Sequence, residues 1–423
     1  MTIDSAPAPV RDSDLGDLDV FQRGAAWQLF DELRREDPLH WTPEPAAAGA
    51  GFWSVTRHAD IVAIDRDAET FTSAKFVNLE EVDDDLQEIR RSMLETDGTR
   101  HRALRKLLAR DFGGQTLKRY EDFLRGLTQA TVDAALANGE FDFVKQVSAD
   151  FPIRVLARLL DVPDDDTRQL IDWGNRMIGN TDPDYADVLL SDAQSEAYKH
   201  LPFRSPAALE VYDYGRRLAR MRRGGDGTDL VSKLVNAIPA DGQSLTATEF
   251  DNYFLLLVVA GNETTRHAIS HSMLALIEHQ DQLRRLQEDP SLIPGAVEEF
   301  LRWASPVYHF RRTATRDVEL HGKTVRAGDK VVMWFAAGNR DPEVFADPYH
   351  FDVTRYPNDH VTFGKGSPHF CLGNNLARLE IRLMFETLLP RLKSVELAGD
   401  VRRVRSNFVN GIKSLPVRVQ PAD

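Results

Sequence analysis

One cysteine, Cys371, stands in a chain of 423 residues. A single thiol excludes an intrachain disulfide framework and fits a reducing compartment. Long hydrophobic runs are missing as well. One of the longest, Phe254 to Ala260, spans seven residues, far short of the about 18 that a membrane helix needs. The first 16 residues are acidic and rich in Pro and Ala, with no basic stretch leading into an apolar one. Neither a secretory leader nor a membrane anchor is predicted, and a cytoplasmic protein is expected. Positive charge is in deficit: 52 Lys and Arg against 66 Asp and Glu leave a net charge of −14. That balance argues against nucleic acid or an anionic membrane as the main partner.

What is present is a globular composition, 42% hydrophobic and 28% charged, on a chain long enough to bury a sizeable core in one unit. No repeat and no low-complexity linker divides it. Residues 1–17 read as a mobile tail and 18–423 as a single domain. Helical periodicity predicts helices over 21–35, 59–65, 117–138, 144–160, 165–178 and 209–222. Strands are expected at 51–56, 318–320, 324–326 and 330–335, with a hairpin over 405–419 turning at Gly411. Helices dominate and the strands are segregated, so the class is α+β, mainly α. Between 71 and 93 periodicity fades and Glu80, Glu81, Asp83, Asp84 and Asp85 gather. That stretch is either a solvated acidic loop or a functional one.

Four stretches carry chemistry. The run Phe363-Gly-Lys-Gly-Ser-Pro-His-Phe-Cys371-Leu-Gly373 places the cysteine among glycines, ahead of an amphipathic helix from Asn374 to about Leu392. Glycines allow bare backbone to approach a bulky group, and a helix N-terminus favours a thiolate. Thr246-Ala-Thr-Glu249 is a capping box, opening a helix of about 30 residues, or about 45 Å. At its centre Ala260-Gly261-Asn262-Glu263-Thr264-Thr265 sets an acid and two alcohols in an apolar run. This suggests a widened groove lined by proton-carrying groups. Glu263, His267 and His271 share a face, but about 12 Å of helix separates the outer two, too far for one metal ion without a break. Glu299 and Arg302 lie three apart on one helical face, and a buried pair would need further hydrogen-bond partners. Finally, His101 and Arg105 stand four apart, able to hold an anion or to form a solvated basic face.

Together with Phe351-Asp-Val-Thr-Arg355, these segments resemble a cytochrome P450, a haem-thiolate monooxygenase, over residues 18–420. The cysteine loop is one residue longer than the family's usual form, and Ser367 stands where a glycine is usual. A bacterial subgroup with Gly-rich loops shows the same length, so the departure reads as a change of loop path. The resemblance implies haem b, with Cys371 as the iron ligand and Phe363 and Gly373 beside the sulfur. It implies Ala260 and Gly261 on the haem-facing helix, and His101, Arg105, Arg312 and His369 as partners of the haem carboxylates. Glu299, Arg302 and Arg355 match the family's structural triad. Thr264 is implied to hold water on the oxygen side, and Glu263 to relay protons. Substrate contacts by family position are Phe76, Val77, Trp173, Ile178, Val258, Ala260, Val307, Phe408 and Val409.

The implied reaction is hydroxylation of an unactivated C–H bond with O2 and two electrons. The chain length leaves no room for a fused reductase. A separate ferredoxin with its NAD(P)H-dependent reductase is therefore expected, docking near Arg110 and Lys365. The Ala-Gly-Asn-Glu-Thr-Thr-Arg run, the lengthened loop and Arg405 to Lys413 are similar to members acting on steroid side chains and methyl-branched lipids, with terpenes and small aromatics as competitors. Two other readings of the resemblance are a peroxide-driven haem-thiolate enzyme, which usually lacks the acid–alcohol pair, and a non-catalytic haem-binding sensor.

Overall fold

The computed structural model describes residues 15–44 and 51–422. Its helices, in chain order, begin with α1 (Leu18–Gln22), α2 (Ala26–Glu36), α3 (His58–Arg66), α4 (Asp84–Arg90), α5 (Gly98–Leu108) and α6 (Gly114–Leu117). They continue with α7 (Glu121–Leu136), α8 (Asp150–Leu160), α9 (Thr167–Ile178), α10 (Ala207–Arg222), α11 (Leu230–Asn236) and α12 (Ala247–Glu278). The last are α13 (Gln280–Glu288), α14 (Ile293–Ala304), α15 (Phe335–Gly338) and α16 (Asn374–Leu388). The α+β, mainly α class holds.

The body is built around α12, which packs against α8, α9, α10, α14 and α16. Its start is the expected box: Thr246 Oγ1 accepts from Glu249 N (3.1 Å) and the Glu249 carboxylate accepts from Thr246 N (2.9 Å). A helix buried on nearly every side carries apolar residues on all its faces, which explains the weak amphipathic pattern of its sequence. A five-stranded sheet flanks the helical body in the order 39–43, 51–55, 330–334, 309–314, 71–72. Strand 51–55 runs parallel to 330–334, and the other pairings are antiparallel.

Several boundaries differ from expectation. Most of the expected tail lies outside the described residues, but Leu15 is fully buried in a cluster with Phe21, Phe30 and Trp334. The domain therefore extends at least to Leu15. The helix expected over 21–35 is two, because Gly24 takes φ +72° between them. Within the irregular 71–93 stretch α4 forms, its first turn acidic at Asp84 and Asp85, where the helix dipole favours negative charge. The expected 405–419 hairpin is re-paired. Ile412–Ser414 joins Arg402–Arg403 across Gly411, while Pro416–Pro421 pairs with Leu392–Leu397 and Glu140–Asp142.

Candidate active site

The cysteine loop is closed by a backbone bond from Cys371 N to Phe363 O, 2.8 Å. Gly364 and Gly366 take φ +74° and +72° inside it, a region L side chains rarely adopt. A Cβ on Gly364 would also stand 2.9 Å from Asp65 Oδ2. Phe363 lies under the Arg378 guanidinium, 4.6 Å from its ring centre, and beside Phe370. Gly373 precedes α16 as its N-cap. The N–H groups at this helix start do favour a thiolate, as expected, but they are not the largest influence on the sulfur. Burial pushes the Cys371 thiol up, outweighing the N–H groups of Gly373 and Asn374 and the charge of Arg105.

Basic side chains converge nearby. His101 and His369 lie with ring centres 4.1 Å apart. His369 Nε2 bonds Asp97 Oδ1 (2.9 Å) and Ser73 Oγ (3.1 Å). Burial pushes Asp97 up, but His369 and Thr72 outweigh it and hold the carboxyl at about 2. Burial, aided by His369 and Arg105, pulls His101 down to about 4. His101 Nε2 and His369 Nδ1 are buried with no protein partner. Arg105 Nη2 donates to Phe370 O, 2.5 Å, which ties α5 to the cysteine loop. Arg312 is buried and paired with Asp65 (2.7 Å), whose Oδ1 also accepts from Ser367 Oγ (3.0 Å). Sequence reasoning missed Asp65, which lies on α3. The serine standing for the family's glycine thus has a defined partner. The neighbouring Arg311 turns elsewhere, with Nη1 donating to Glu80 O at 3.2 Å.

On α12 one stripe is open. Ala260 is exposed, and Leu256 and Thr264 are half-buried, spaced by four and so on one face. Thr264 Oγ1 bonds back to Ala260 O, 3.0 Å. Gly261 opens no groove: a Cβ there would meet Leu156 of α8 at 3.2 Å, so the glycine admits a neighbouring helix instead. Val258, expected at the cavity, is fully buried and sits about 200° around the helix from Ala260. Leu256, which the i−4 spacing from Ala260 could have found, takes that place.

Glu263 is buried and clamped. Arg266 Nη1 lies 3.2 Å from Oε1, His267 Nε2 3.4 Å from Oε2, and Asn262 Nδ2 donates at 3.1 Å. Burial pushes its pKa up, yet Arg266 and His267 outweigh that and hold the carboxyl below its ordinary value. Arg266 in turn bonds Asn175 Oδ1 (2.7 Å) and Tyr185 Oη (3.2 Å). The histidines are committed as well: His267 Nδ1 accepts from Ile412 N and His271 Nε2 bonds Asn410 O. Among the described residues no group of three metal-ligating side chains forms.

Glu299 and Arg302 are buried as a two-point pair, both contacts 2.7 Å. The further partners the pair requires are present. Arg302 Nη1 donates to Asn339 O and Pro348 O, and Glu299 accepts from Asp352 N, Asn358 Nδ2 and Arg355. Of the remaining expected substrate residues, Phe76, Val77 and Ile178 are buried, and Val307 pairs with Val409 in a β-bridge beside Phe408. Trp173 is committed to packing α9 on α10, donating to Glu210 (2.9 Å) and meeting Tyr214 edge-on.

Residues 66–416 match the cytochrome P450 family, and the chain belongs to it. It is 37% identical to a methyl-branched lipid omega-hydroxylase of Mycobacterium tuberculosis, over 97% of this chain and 95% of that one. A steroid C26-monooxygenase of Mycolicibacterium smegmatis is 38% identical over 90% of this chain and 88% of its own. A Mycobacterium marinum cytochrome P450 solved with pseudoionone superposes with a TM-score of 0.87 at 37% identity, covering 98% of this chain and all of that one. The chain is a cytochrome P450 monooxygenase, and its cofactor is haem b. The residues fit that group: a lone, half-buried thiol at a helix start, two unpartnered imidazole nitrogens for carboxylates, and an open stripe on α12. No helix among the described residues is long and apolar enough to cross a membrane.

Proposed function

We propose that the protein hydroxylates an unactivated C–H bond of a lipophilic small molecule, of the steroid, branched-lipid or terpenoid class, with electrons from a separate ferredoxin and its NAD(P)H-dependent reductase. The observation that carries this reading is Thr264 on the open stripe of α12, next in sequence to the buried carboxylate of Glu263. The names of the relatives support the substrate class. Haem held through Cys371 supplies the redox chemistry that activates O2. His101, His369, Arg105 and Arg312 hold its carboxylates, the last with its charge partly met by Asp65. Thr264 gives its proton to Ala260 O, so it can accept a hydrogen bond from a water on the open face. To donate there it must leave that carbonyl. Glu263 can pass a proton only after its carboxylate leaves Arg266 and His267, since general acid–base work requires hydrogen-bond reach. Leu256, Ala260, Phe76 and Val77 give the substrate side an apolar wall. Exposed Arg102 and Lys106 of α5, with Arg110 in the turn just beyond it, form a basic patch suited to an acidic ferredoxin. Lys365, expected there too, is paired with Asp359.

Reduced-plus-CO difference spectra test the site. The thiolate signature is expected in the parent and absent in Cys371→Ala, and a spectrum that survives that change overturns the assignment. Turnover with ferredoxin and NADPH is expected to exceed turnover with peroxide alone. Thr264→Ala is expected to cut product per NADPH several-fold, and unchanged coupling would remove Thr264 from the proton path. A substrate screen by haem spin-state shift then selects among lipid classes.

A further inference from the structure

Two loops are joined through one buried carboxylate. Glu80 sits in the 71–83 loop with its side chain 6% exposed and forms a two-point pair with Arg90 of α4 (2.9 and 2.6 Å). Its Oε1 also accepts from Arg204 Nε at 2.6 Å, across from the 193–206 segment that leads into α10. Arg204 continues to Glu196 (3.0 Å), and Arg90 Nη1 donates to Lys199 O (3.0 Å), so the segment is held from both ends. The Arg90 guanidinium covers the ring of Phe76, 5.2 Å from its centre.

The backbone is fastened alongside. Arg311 N donates to Val77 O (2.7 Å), Arg311 Nη1 to Glu80 O (3.2 Å) and Lys330 Nζ to Leu79 O (3.2 Å). Three residues at this junction hold left-handed backbone without being glycine: Phe76 at φ +73°, Phe203 at +59° and Arg204 at +46°. Such conformations persist only where surroundings over-determine them, and they gather at ligand clamps and switches. Asn180 Nδ2 bonds the carbonyl of Phe203, 2.9 Å, so the strained turn is itself anchored to the end of α9.

We propose that Glu80 is a positioning residue that locks the 71–83 loop to the 193–206 segment and thereby sets Phe76 and Val77 against the substrate, making this bridge the gate for bulky ligands. The inference rests on the reading that Phe76 and Val77 border the substrate cavity. Because the bridge is mostly shielded from water, bulk salt screens it weakly. The gate discriminates by ligand size, since only a bulky molecule requires the two segments to part.

The test uses the haem-loaded protein and two azoles of different bulk, imidazole and econazole, followed by stopped-flow absorbance at the haem band. Arg204→Gln removes the direct arm of the bridge while leaving Glu80 paired with Arg90 and Arg90 bonded to Lys199 O, and Glu80→Gln removes the charge that both arms share. In Arg204→Gln, econazole binding and release are expected to quicken at least about fivefold, as for truncating one side of a buried charge pair. Imidazole rates should stay within about twofold on the same principle. Glu80→Gln should shift econazole further in the same direction. Equal econazole rates in the parent and both variants, or equal acceleration of both azoles, overturn the gate while leaving the active-site reading intact. A parent protein that shows no nitrogen-ligated haem-thiolate spectrum with either azole overturns the site reading itself, and this inference with it.

Discussion

Gly174 of α9 lies directly over Glu263 of α12: a Cβ at position 174 would stand 2.9 Å from the carboxylate oxygen Oε1. The helix tolerates glycine there because the acid needs the space. Gly174→Ala should add up to about 1 kcal/mol of helix propensity while displacing a carboxylate that Arg266, His267 and Asn262 hold in place. The expected outcome is a several-fold fall in product per NADPH with an unchanged CO spectrum. Unaltered coupling would show that the carboxylate's position does not matter to turnover.

Arg302 should be far less forgiving. Its guanidinium and Glu299 are both shielded from water, and every partner around them is placed for a charged pair. Arg302→Met leaves a buried carboxylate with its main counter-charge removed, which costs about 3–5 kcal/mol. Chemical denaturation should report that loss, and haem should be retained poorly. A loss below about 1 kcal/mol, the surface-pair range, would contradict the buried geometry.

Acid should weaken the fold through His309. Burial holds this imidazole down at about 4, with Nδ1 bonded to Asn407 O (2.9 Å). Its folded pKa lies below the unfolded value of 6.5, so the unfolded chain binds the extra proton. The contribution is complete above 6.5 and is lost as pH falls toward 4. From pH 7 to pH 5 this one group should remove about 2 kcal/mol of stability. Thermal melts of the parent and His309→Asn at the two pH values check it. The variant should show the smaller difference.

Electron delivery should depend on the α5 patch. Lys106→Glu reverses one exposed charge between Arg102 and Arg110. It should slow reduction by an acidic ferredoxin several-fold at low salt, with the gap narrowing as salt rises. Dithionite reduction and the CO spectrum should not change. Equal ferredoxin rates would move the docking face elsewhere.

Local spacing made much of this legible. The capping box at Thr246, the Glu299–Arg302 pair and the glycines of the cysteine loop are each set by residues within a few positions of one another. Their geometry follows from helix period or turn chemistry alone. What could not be read was decided by partners far along the chain. Glu263 is clamped partly through Arg266, whose own anchors, Asn175 and Tyr185, lie about 80 to 90 positions upstream. Asp65 reaches Arg312 and Ser367 across roughly 250 to 300 positions. The face of α12 that opens was misjudged at Val258 because a helix buried on almost every side gives no amphipathic signal to orient it. The acids at Asp84 and Asp85 read as loop although they suit a helix's first turn.

Arg311 and Arg312 are consecutive on strand 309–314, and successive side chains leave a strand on opposite faces. One guanidinium therefore pairs with Asp65 beside the cysteine loop and the other donates to the backbone of the 71–83 loop. Inserting or deleting a single residue ahead of them would exchange the two roles at once. That strand is a ruler with no slack: length variation in this protein must be accommodated before Ser305 or after Ala314, not between.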